Sequence, residues 1–170
     1  MARTVDLAVT RYDWVPGVAG LTTPSSPKVT ELVAGTVKNI SPYVLGTTAI
    51  NPTSSDTVSE KGITDMANVN VPTIGNYEGN LVLFRDLASG VPTANDPWDI
   101  FTAAGIAGWI VRRIGLPYST AYAATTQKVD VFLFTTDNPQ PSGGQSDGYL
   151  KLTVPLLAAG TFYMNVALQA

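Results

Sequence analysis

Residues Tyr77 to Asp86 read YEGNLVLFRD, and this stretch indicates the fold class. Apolar and polar side chains alternate along it, so Leu81 and Leu83 face one side of a strand while Glu78 and Asn80 face the other. A period of two is typical of a β-strand with a core on one face only. We therefore expect a β-rich domain in which this strand is one of several.

Stretches rich in β-branched and aromatic residues predict the remaining strands on both sides of this one. They lie at Val29–Ile40, Trp109–Ile114, Gln127–Thr135, Tyr149–Val154 and Thr161–Gln169. The last strand is expected to alternate, with Phe162, Met164, Val166 and Leu168 on an apolar face and Tyr163 and Asn165 on a polar one. The pattern predicts a mainly β fold, a β-sandwich or split barrel, with one flanking α-helix.

The flanking helix is predicted in ANDPWDIFTAAGIAG, residues 94–108. Asp96 suits the N-cap and Pro97 the first helical position, while Asp99 complements the positive end of the helix dipole. Gly105 or Gly108 is expected to end the helix. Because capping explains Asp96 and Asp99, we do not interpret them as a catalytic carboxylate pair.

Residues 1–27 are predicted to form an N-terminal arm, and residues 28–170 one β domain. The arm contains prolines and glycines, a pattern expected to exclude a long helix or a central strand. They are Pro16, Gly17, Gly20, Pro24 and Pro27. Its aromatic residues Tyr12 and Trp14 are expected to anchor it, either on a neighbour or on its own domain. Ser41–Lys61 has no helical period and is predicted to be an extended loop or loose hairpin.

Composition excludes several classes of function. The chain has 10 Lys and Arg against 13 Asp and Glu, a net charge of −3, and no basic run that would neutralise phosphates in sequence-directed nucleic-acid binding. The N-terminus lacks the uninterrupted apolar core of a signal peptide, and the apolar stretch Ala103–Val111 is about half the length needed to cross a bilayer. We therefore expect a soluble protein.

The chain has no cysteine and no histidine, which removes most catalytic and metal chemistry. Ser-His-Asp triads, Cys-His dyads and His-ligated metal sites cannot be formed. Neighbouring charges such as Arg112 and Arg113 point to opposite faces of a strand and do not form one site. The loop Asp137–Gly148 has oxygen ligands, but their spacing matches no EF-hand, so a flexible loop is the preferred interpretation. We expect no enzyme activity, no cofactor and no metal.

Several stretches, in their order along the chain, resemble the major tail tube proteins of long-tailed, siphovirus-type bacteriophages, particularly those that infect actinobacteria. These stretches are ELVAGTVKNIS at Glu31–Ser41, DTVSEKGITDMANVNVPTIGNYEGNLVLFRD at Asp56–Asp86, PWDIFTAAGIAGWIVRRIG at Pro97–Gly115, KVDVFLFTTDNPQP at Lys128–Pro141 and FYMNVALQA at Phe162–Ala170. The similarity spans roughly residues 28–170, and no single motif is diagnostic.

The resemblance implies a structural virion protein whose subunits join edge to edge into a ring-shaped β-barrel, with six copies to a ring. Stacked rings form the tail tube, the conduit for ejection of the double-stranded genome into the host. Partners implied are further copies of the chain and the tape-measure, tail-terminator and baseplate proteins, with assembly in the bacterial host cytoplasm. DNA passes without specific binding, as the net negative charge also favours.

The resemblance also implies roles for particular residues. The loop at residues 41–61 is expected to contact the adjacent ring. The candidate contacts between subunits are Tyr12, Trp14, Tyr43, Val44, Leu45 and Ile50. Candidates for the channel lining are Glu78, Asn80, Tyr163 and Asn165, taken from the polar faces of amphipathic strands, with outer solvent as the alternative location.

Two other classes remain open from the sequence. One is a different β-sandwich virion component, such as a capsid decoration or tail-completion protein. The other is a carbohydrate-binding module, which three Trp and seven Tyr would suit. Against the second, Trp98 and Trp109 fall on predicted core faces.

Overall fold

A computed structural model of the chain describes residues 9–61, 63, 69–88, 91–92, 96–142 and 148–170. The mainly β fold expected from the sequence is confirmed. The strands are β1 (Thr10–Pro16), β2 (Lys38–Asn39), β3 (Ala49–Thr53), β4 (Thr57–Glu60), β5 (Val69–Pro72), β6 (Asn76–Phe84), β7 (Leu87–Ala88), β8 (Val91–Pro92), β9 (Ala107–Ile114), β10 (Lys128–Thr136), β11 (Gln140–Ser142) and β12 (Lys151–Ala167). The helices are α1 (Val29–Leu32) and α2 (Pro97–Ile100), with 3-10 turns at Val18–Gly20 and Ser41–Tyr43.

The main sheet is antiparallel, has eight strands and is not closed into a barrel. Its order is β2-β1-β9-β10-β12-β6-β3, with β11 also paired to β12. β4 with β5 and β7 with β8 form two separate two-stranded ribbons. β12 divides the main sheet into two halves, because Lys151–Leu156 pair with β6 while Leu156–Ala167 pair with β10.

The larger core lies between the two halves. Trp14, Ile110, Phe132 and Phe134 from β1, β9 and β10 pack there against side chains of β3, β6 and β12. Leu81 and Leu83 are fully buried while Glu78 and Asn80 are exposed, which confirms the alternation predicted for β6. A second cluster, which includes Trp109, Val111 and Val131, covers the other face of the β1–β9–β10 half.

The expectation that residues 1–27 exclude a central strand is wrong for residues 10–16. β1 pairs with β9 along its whole length and with β2 at Asp13 and Trp14. The prolines and glycines that suggested an arm begin only at Pro16, the last residue of the strand, so they end β1 without interrupting it. Gly17, with φ of 76°, then turns the chain away.

The strand predicted at Val29–Ile40 is also wrong, because the segment begins with the helical turn α1. The Glu31 carboxylate accepts hydrogen bonds from the backbone N–H groups of Lys28 and Thr22, both at 3.0 Å, and this holds the turn. Only β2 at its end is extended.

The predicted helix starts as expected and ends early. Asp96 caps α2 by accepting from the Trp98 N–H at 2.8 Å, and Pro97 is the first helical residue. The helix stops at Ile100, well before Gly105, because the following backbone bonds to the end of β10. The Gly105 N–H donates to the Thr136 carbonyl at 2.7 Å.

The last two predicted strands are one continuous strand, β12. Gly160 lies inside it, at a register shift opposite β10, and does not end it. A Cβ on Gly160 would lie 2.9 Å from Leu133 Cδ2, so a larger residue there would displace the end of the Leu133 side chain.

Candidate assembly surfaces

Besides the two-residue β2 at one end of the main sheet, two longer backbone edges lack a neighbouring strand in the described part of the chain. β3 ends one side of the sheet and pairs only with β6. Beyond Leu156, β12 pairs with β10 on one side, and no described strand lies on its other side. Edges of this kind favour pairing with a strand of another chain.

Tyr77 fills the fork at which β12 separates from β6. Its hydroxyl donates to the Leu133 carbonyl and accepts from the N–H groups of Ala159 and Gly160, both at 3.1 Å. Burial raises the pKa of this phenol, so it stays protonated and able to donate. One side chain of β6 thereby connects this strand to β12 at the point where the two strands separate.

Arg112 connects both edges of the open sheet. Its Nη1 donates to the Ile50 carbonyl of β3 at 2.7 Å, while Nε and Nη2 donate to Asp130 Oδ2 at 3.1 and 3.0 Å. Asp130 Oδ1 accepts from the Asn165 N–H of β12 at 2.8 Å, where Asn165 has φ of 55°. One ion pair therefore fixes β3 relative to the irregular end of β12.

The β4–β5 hairpin stands apart from the main sheet. Val58 and Val71 lie directly opposite each other in its register and are 46% and 54% exposed. Ile74, at its base, is also exposed. A two-stranded hairpin is marginal in water by itself, so an uncovered apolar pair suggests a docking surface.

Only part of the predicted 41–61 loop leaves the main sheet. Leu45 N–H donates to the Val82 carbonyl at 2.8 Å, and Val44 forms an isolated bridge with Leu83, so residues 41–48 lie along β6. β3 then joins the main sheet, and only from Ser54 does the chain leave it. Val58 alternates with Ser59, and Asn70 separates Val69 from Val71, and this alternation was the sequence signal for the hairpin.

The contact candidates fall into two groups. Trp14 is 1% exposed and packs edge-on against Phe101 at 5.1 Å, while Ile50 is also fully buried. These two are corrected to core residues of their own subunit. Tyr12 on β1 and Tyr43, Val44 and Leu45 on the segment beside β6 are partly exposed, and as inter-subunit contacts they stay a prediction.

The channel candidates do not lie on one surface. Glu78 and Asn80 are exposed on the outer face of β6, beside Asn51 of β3 and Pro155 of β12. Tyr163, by contrast, packs with Val166 against the second core cluster, and Asn165 sits at the irregularity held by Asp130. The predicted alternation of residues 162–168 is therefore wrong, because a register shift between Val129 and Val131 of β10 interrupts it.

A buried polar cluster attaches residues 115–127 to the β1–β9 face. Asp13 accepts from the Tyr122 hydroxyl and from Arg11 Nε at 2.7 Å. Burial, and then the charge of Asp13, raise the pKa of Tyr122 far above its usual value. Arg113 donates to the backbone carbonyls of Thr120 and Pro117 at 2.9 and 2.8 Å, on the face opposite Arg112 as predicted.

Asp96, the N-cap residue of α2, has a structural role. Asp96 caps the helix and pairs with Arg85 Nε at 3.0 Å, and Arg85 covers the Trp98 ring at 5.0 Å. Trp109 is buried and donates to the Val18 carbonyl.

Among the described residues no three acidic groups cluster as metal ligands, and Asp147 of the candidate calcium loop lies outside them. The described helices are all too short and polar to cross a membrane.

Comparisons with known proteins agree with this architecture. The family described as phage tail tube protein matches residues 1–170. A chain in the cryo-EM structure of the anti-feeding prophage baseplate, six-fold symmetrised, is 12% identical with a TM-score of 0.59 over 98% of both chains. At that identity the likeness shows the fold alone. No curated protein matches the chain.

Proposed function

The chain belongs to the phage tail tube protein family, a family of structural tail components, and on that premise we propose that it is the repeating subunit of the tail tube. Copies join into rings, and stacked rings enclose a channel through which the genome is ejected. The observation that supports this most directly is the open main sheet, with one edge at β3 and another along β12. The fold-level relative comes from a six-fold symmetrised assembly, which supports six copies in a ring.

In the proposed ring, the β3 edge of one copy pairs with the free edge of β12 in the next. Each copy then contributes a continuous piece of one wall, and closure pairs the β3 and β12 edges with each other. Arg112 supports this arrangement, because its bonds to Ile50 and Asp130 hold the two edges in a fixed relation within each copy. Pairing of this kind needs preorganised edges, since disordered ones would lose more entropy on joining.

The outer face of the β3–β6–β12 half is the proposed channel lining. Neighbours across the register on this face are Asn51 with Glu78, Asn80 with Pro155, and Val82 with Thr153. The face is mostly neutral, and Glu78 repels phosphate, so DNA gains no counterion release on contact. Tyr163 and Asn165 lie outside this face and are not part of the proposed lining.

The β4–β5 hairpin is the proposed contact to the adjacent ring. It carries an exposed Val58–Val71 pair and forms a two-stranded sheet separate from the main sheet. A head-to-tail contact of this kind does not close on itself, so it extends into a filament. Filament length is then set by other components, for which the tape-measure, tail-terminator and baseplate proteins are the proposed partners. Assembly in the host cytoplasm and a place in the virion tail follow from the same proposal.

The test is assembly of the purified chain, followed by light scattering and negative-stain electron microscopy. Hollow tubes of uniform width are expected on concentration. Leu157→Lys places a charge where the free edge of β12 begins, at a side chain that is 54% exposed, and should block ring closure without unfolding the subunit. Val33→Lys, at a side chain that is 62% exposed at the end of α1, is the matched control. Wild-type chain that stays monomeric at every concentration would contradict the proposal.

A further inference from the structure

The two ends of the β9–β10 strand pair carry opposite charge. At the end where β9 finishes and β10 starts, four basic side chains face two acidic ones among the described residues: Arg11, Arg112, Arg113 and Lys128 against Asp13 and Asp130. At the opposite end, four acidic side chains face two basic ones: Asp86, Asp96, Asp99 and Asp137 against Arg85 and Lys151. β9 has eight residues, so the ends are about 25 Å apart.

The basic end contains an open cleft of about 520 Å³, which we call the basic cleft. It is lined by residues 112–116, 126–130 and 165. Asp130 pairs with Arg112, whereas the hydrogen bonds of Arg113 go to neutral oxygens and its buried Nε has no partner. Lys128 is exposed at the cleft. Arg113 itself is only 1% exposed, so the positive charge that the cleft presents to a partner is that of Lys128.

Apolar side chains surround this charge. Ile114 is 56% exposed, and Leu116 beside it is exposed as well. A surface that combines the exposed Lys128 ammonium with exposed aliphatic groups suits a partner that presents a carboxylate beside apolar groups.

The acidic end of the same chain has this chemistry. Asp99 is exposed on α2, and its neighbour Asp96 is already occupied by Arg85 and by the helix cap. Tyr149 is 78% exposed and Leu150 is exposed next to it. The acidic end thus presents a carboxylate together with an aromatic and an aliphatic side chain.

We propose that the basic cleft of one copy receives the Asp99 end of a second copy in the adjacent ring. This inference rests on the proposed tube function and names the charge contact that gives stacking its direction. Head-to-tail stacking brings opposite charges together at every interface. Stacking of like ends would place two acidic or two basic surfaces against each other, which costs free energy and suppresses the wrong orientation.

The test reverses one charge at a time in the full chain. Lys128→Glu and Asp99→Lys are each expected to raise the protein concentration for half-maximal tube formation about tenfold. The double variant Lys128→Glu/Asp99→Lys restores opposite charges and should assemble nearly as the wild type does. Lys38→Glu, which reverses an exposed charge on β2 away from both ends, is the matched control. Pelleting and negative-stain microscopy give the readout, and wild-type tubes should shorten as NaCl is raised.

The possible outcomes separate this inference from the tube function. Wild-type tubes together with single variants that assemble like Lys38→Glu would overturn the inference alone. A double variant no better than the two singles would also overturn it, because the charges would then not pair. A wild-type chain that forms no tubes overturns the proposed function and this inference together. Circular dichroism checks folding, and Asp99→Asn, which removes the charge at similar size, should weaken assembly about threefold.

Discussion

At the scale of single residues, the hydroxyl of Tyr77 connects β6 to β10 and β12. It bonds to three backbone groups of two different strands at the fork between the half-sheets. The neighbouring strands cannot satisfy those groups, because the register shift at Phe132–Phe134 takes them out of the ladder. A side chain from β6 therefore completes the hydrogen bonding of β10 and β12.

Tyr77→Phe should lower the free energy of unfolding of the isolated subunit by about 1–3 kcal/mol, since the buried Leu133 carbonyl loses its donor. Equilibrium urea unfolding at a concentration where the chain is monomeric measures this. Tyr149→Phe removes a hydroxyl from an exposed side chain and should stay within about 0.5 kcal/mol. Equal stabilities of the two variants would show that the fork does not need the hydroxyl.

Glu31 gives the fold a pH-dependent contribution. Partial burial raises the pKa of this carboxyl, but hydrogen bonds from the Lys28 and Thr22 N–H groups outweigh it, and the net pKa is lowered. A group with a lowered folded-state pKa stabilises the fold above its unfolded pKa, and the contribution is lost as pH falls through the folded value.

Glu31→Gln should therefore cost about 0.5–1 kcal/mol at pH 7 and nothing once the pH is below the folded-state pKa of Glu31. Thermal unfolding of both proteins across that range measures the difference. Glu60→Gln, which removes a carboxylate from the exposed hairpin, controls for the change in net charge. A pH-independent gap between Glu31→Gln and wild type would mean that the capping charge plays no part.

At the scale of elements, the sequence predicted the strands with strong alternation or a dense apolar run, namely β6, β9 and β10. It failed where one tertiary contact decides the local structure. Glu31 turns a β-branched stretch into α1 through two backbone hydrogen bonds, and Thr136 takes the backbone after α2 into contact with β10. Local propensity reveals neither contact, because Thr136 is distant in sequence from α2 and Glu31 bonds to Thr22, which lies outside α1.

The candidate surfaces also divide into features predictable from a local sequence pattern and features that depend on tertiary contacts. The exposed face of β6 was predictable, because Glu78 and Asn80 alternate with buried leucines. The Arg112–Asp130 connection between the edges was not, since the residues that it joins lie on four strands, β3, β9, β10 and β12, that are spread along the sequence. The β4–β5 hairpin could have been predicted from the alternation around Val58, but the serine and threonine content of residues 41–61 obscured this pattern.

The hairpin makes a prediction at this scale. Val58→Ser/Val71→Ser should leave subunit stability within about 0.5 kcal/mol, because both side chains are exposed. Rings should still form, but tubes should be short or missing, because the apolar pair proposed to dock on the adjacent ring is lost. Sedimentation and electron microscopy distinguish rings from tubes, with Val33→Ser as the control for an exposed valine. Long tubes from the double variant would show that another element makes the axial contact.

At the scale of the whole molecule, the proposed ring closure through β3 and β12 predicts which positions approach each other between copies. The chain has no native cysteine, so introduced thiols react without background. A mixture of Asn51→Cys on β3 and Thr161→Cys on β12, treated with a short bismaleimide, should give cross-linked dimers on denaturing gels. Either variant alone should give far fewer, because like edges do not meet in a ring. Cross-linking with Val33→Cys in place of either partner would point to random collision.

A single strand, β12, belongs to both half-sheets, and this has a mechanical consequence. Hydrogen bonds between separate strands can peel apart one after another under load, whereas a force that passes from one half-sheet to the other through β12 is borne by covalent bonds. In a tubular wall, internal pressure would therefore strain the seams between subunits before it tore a subunit in two.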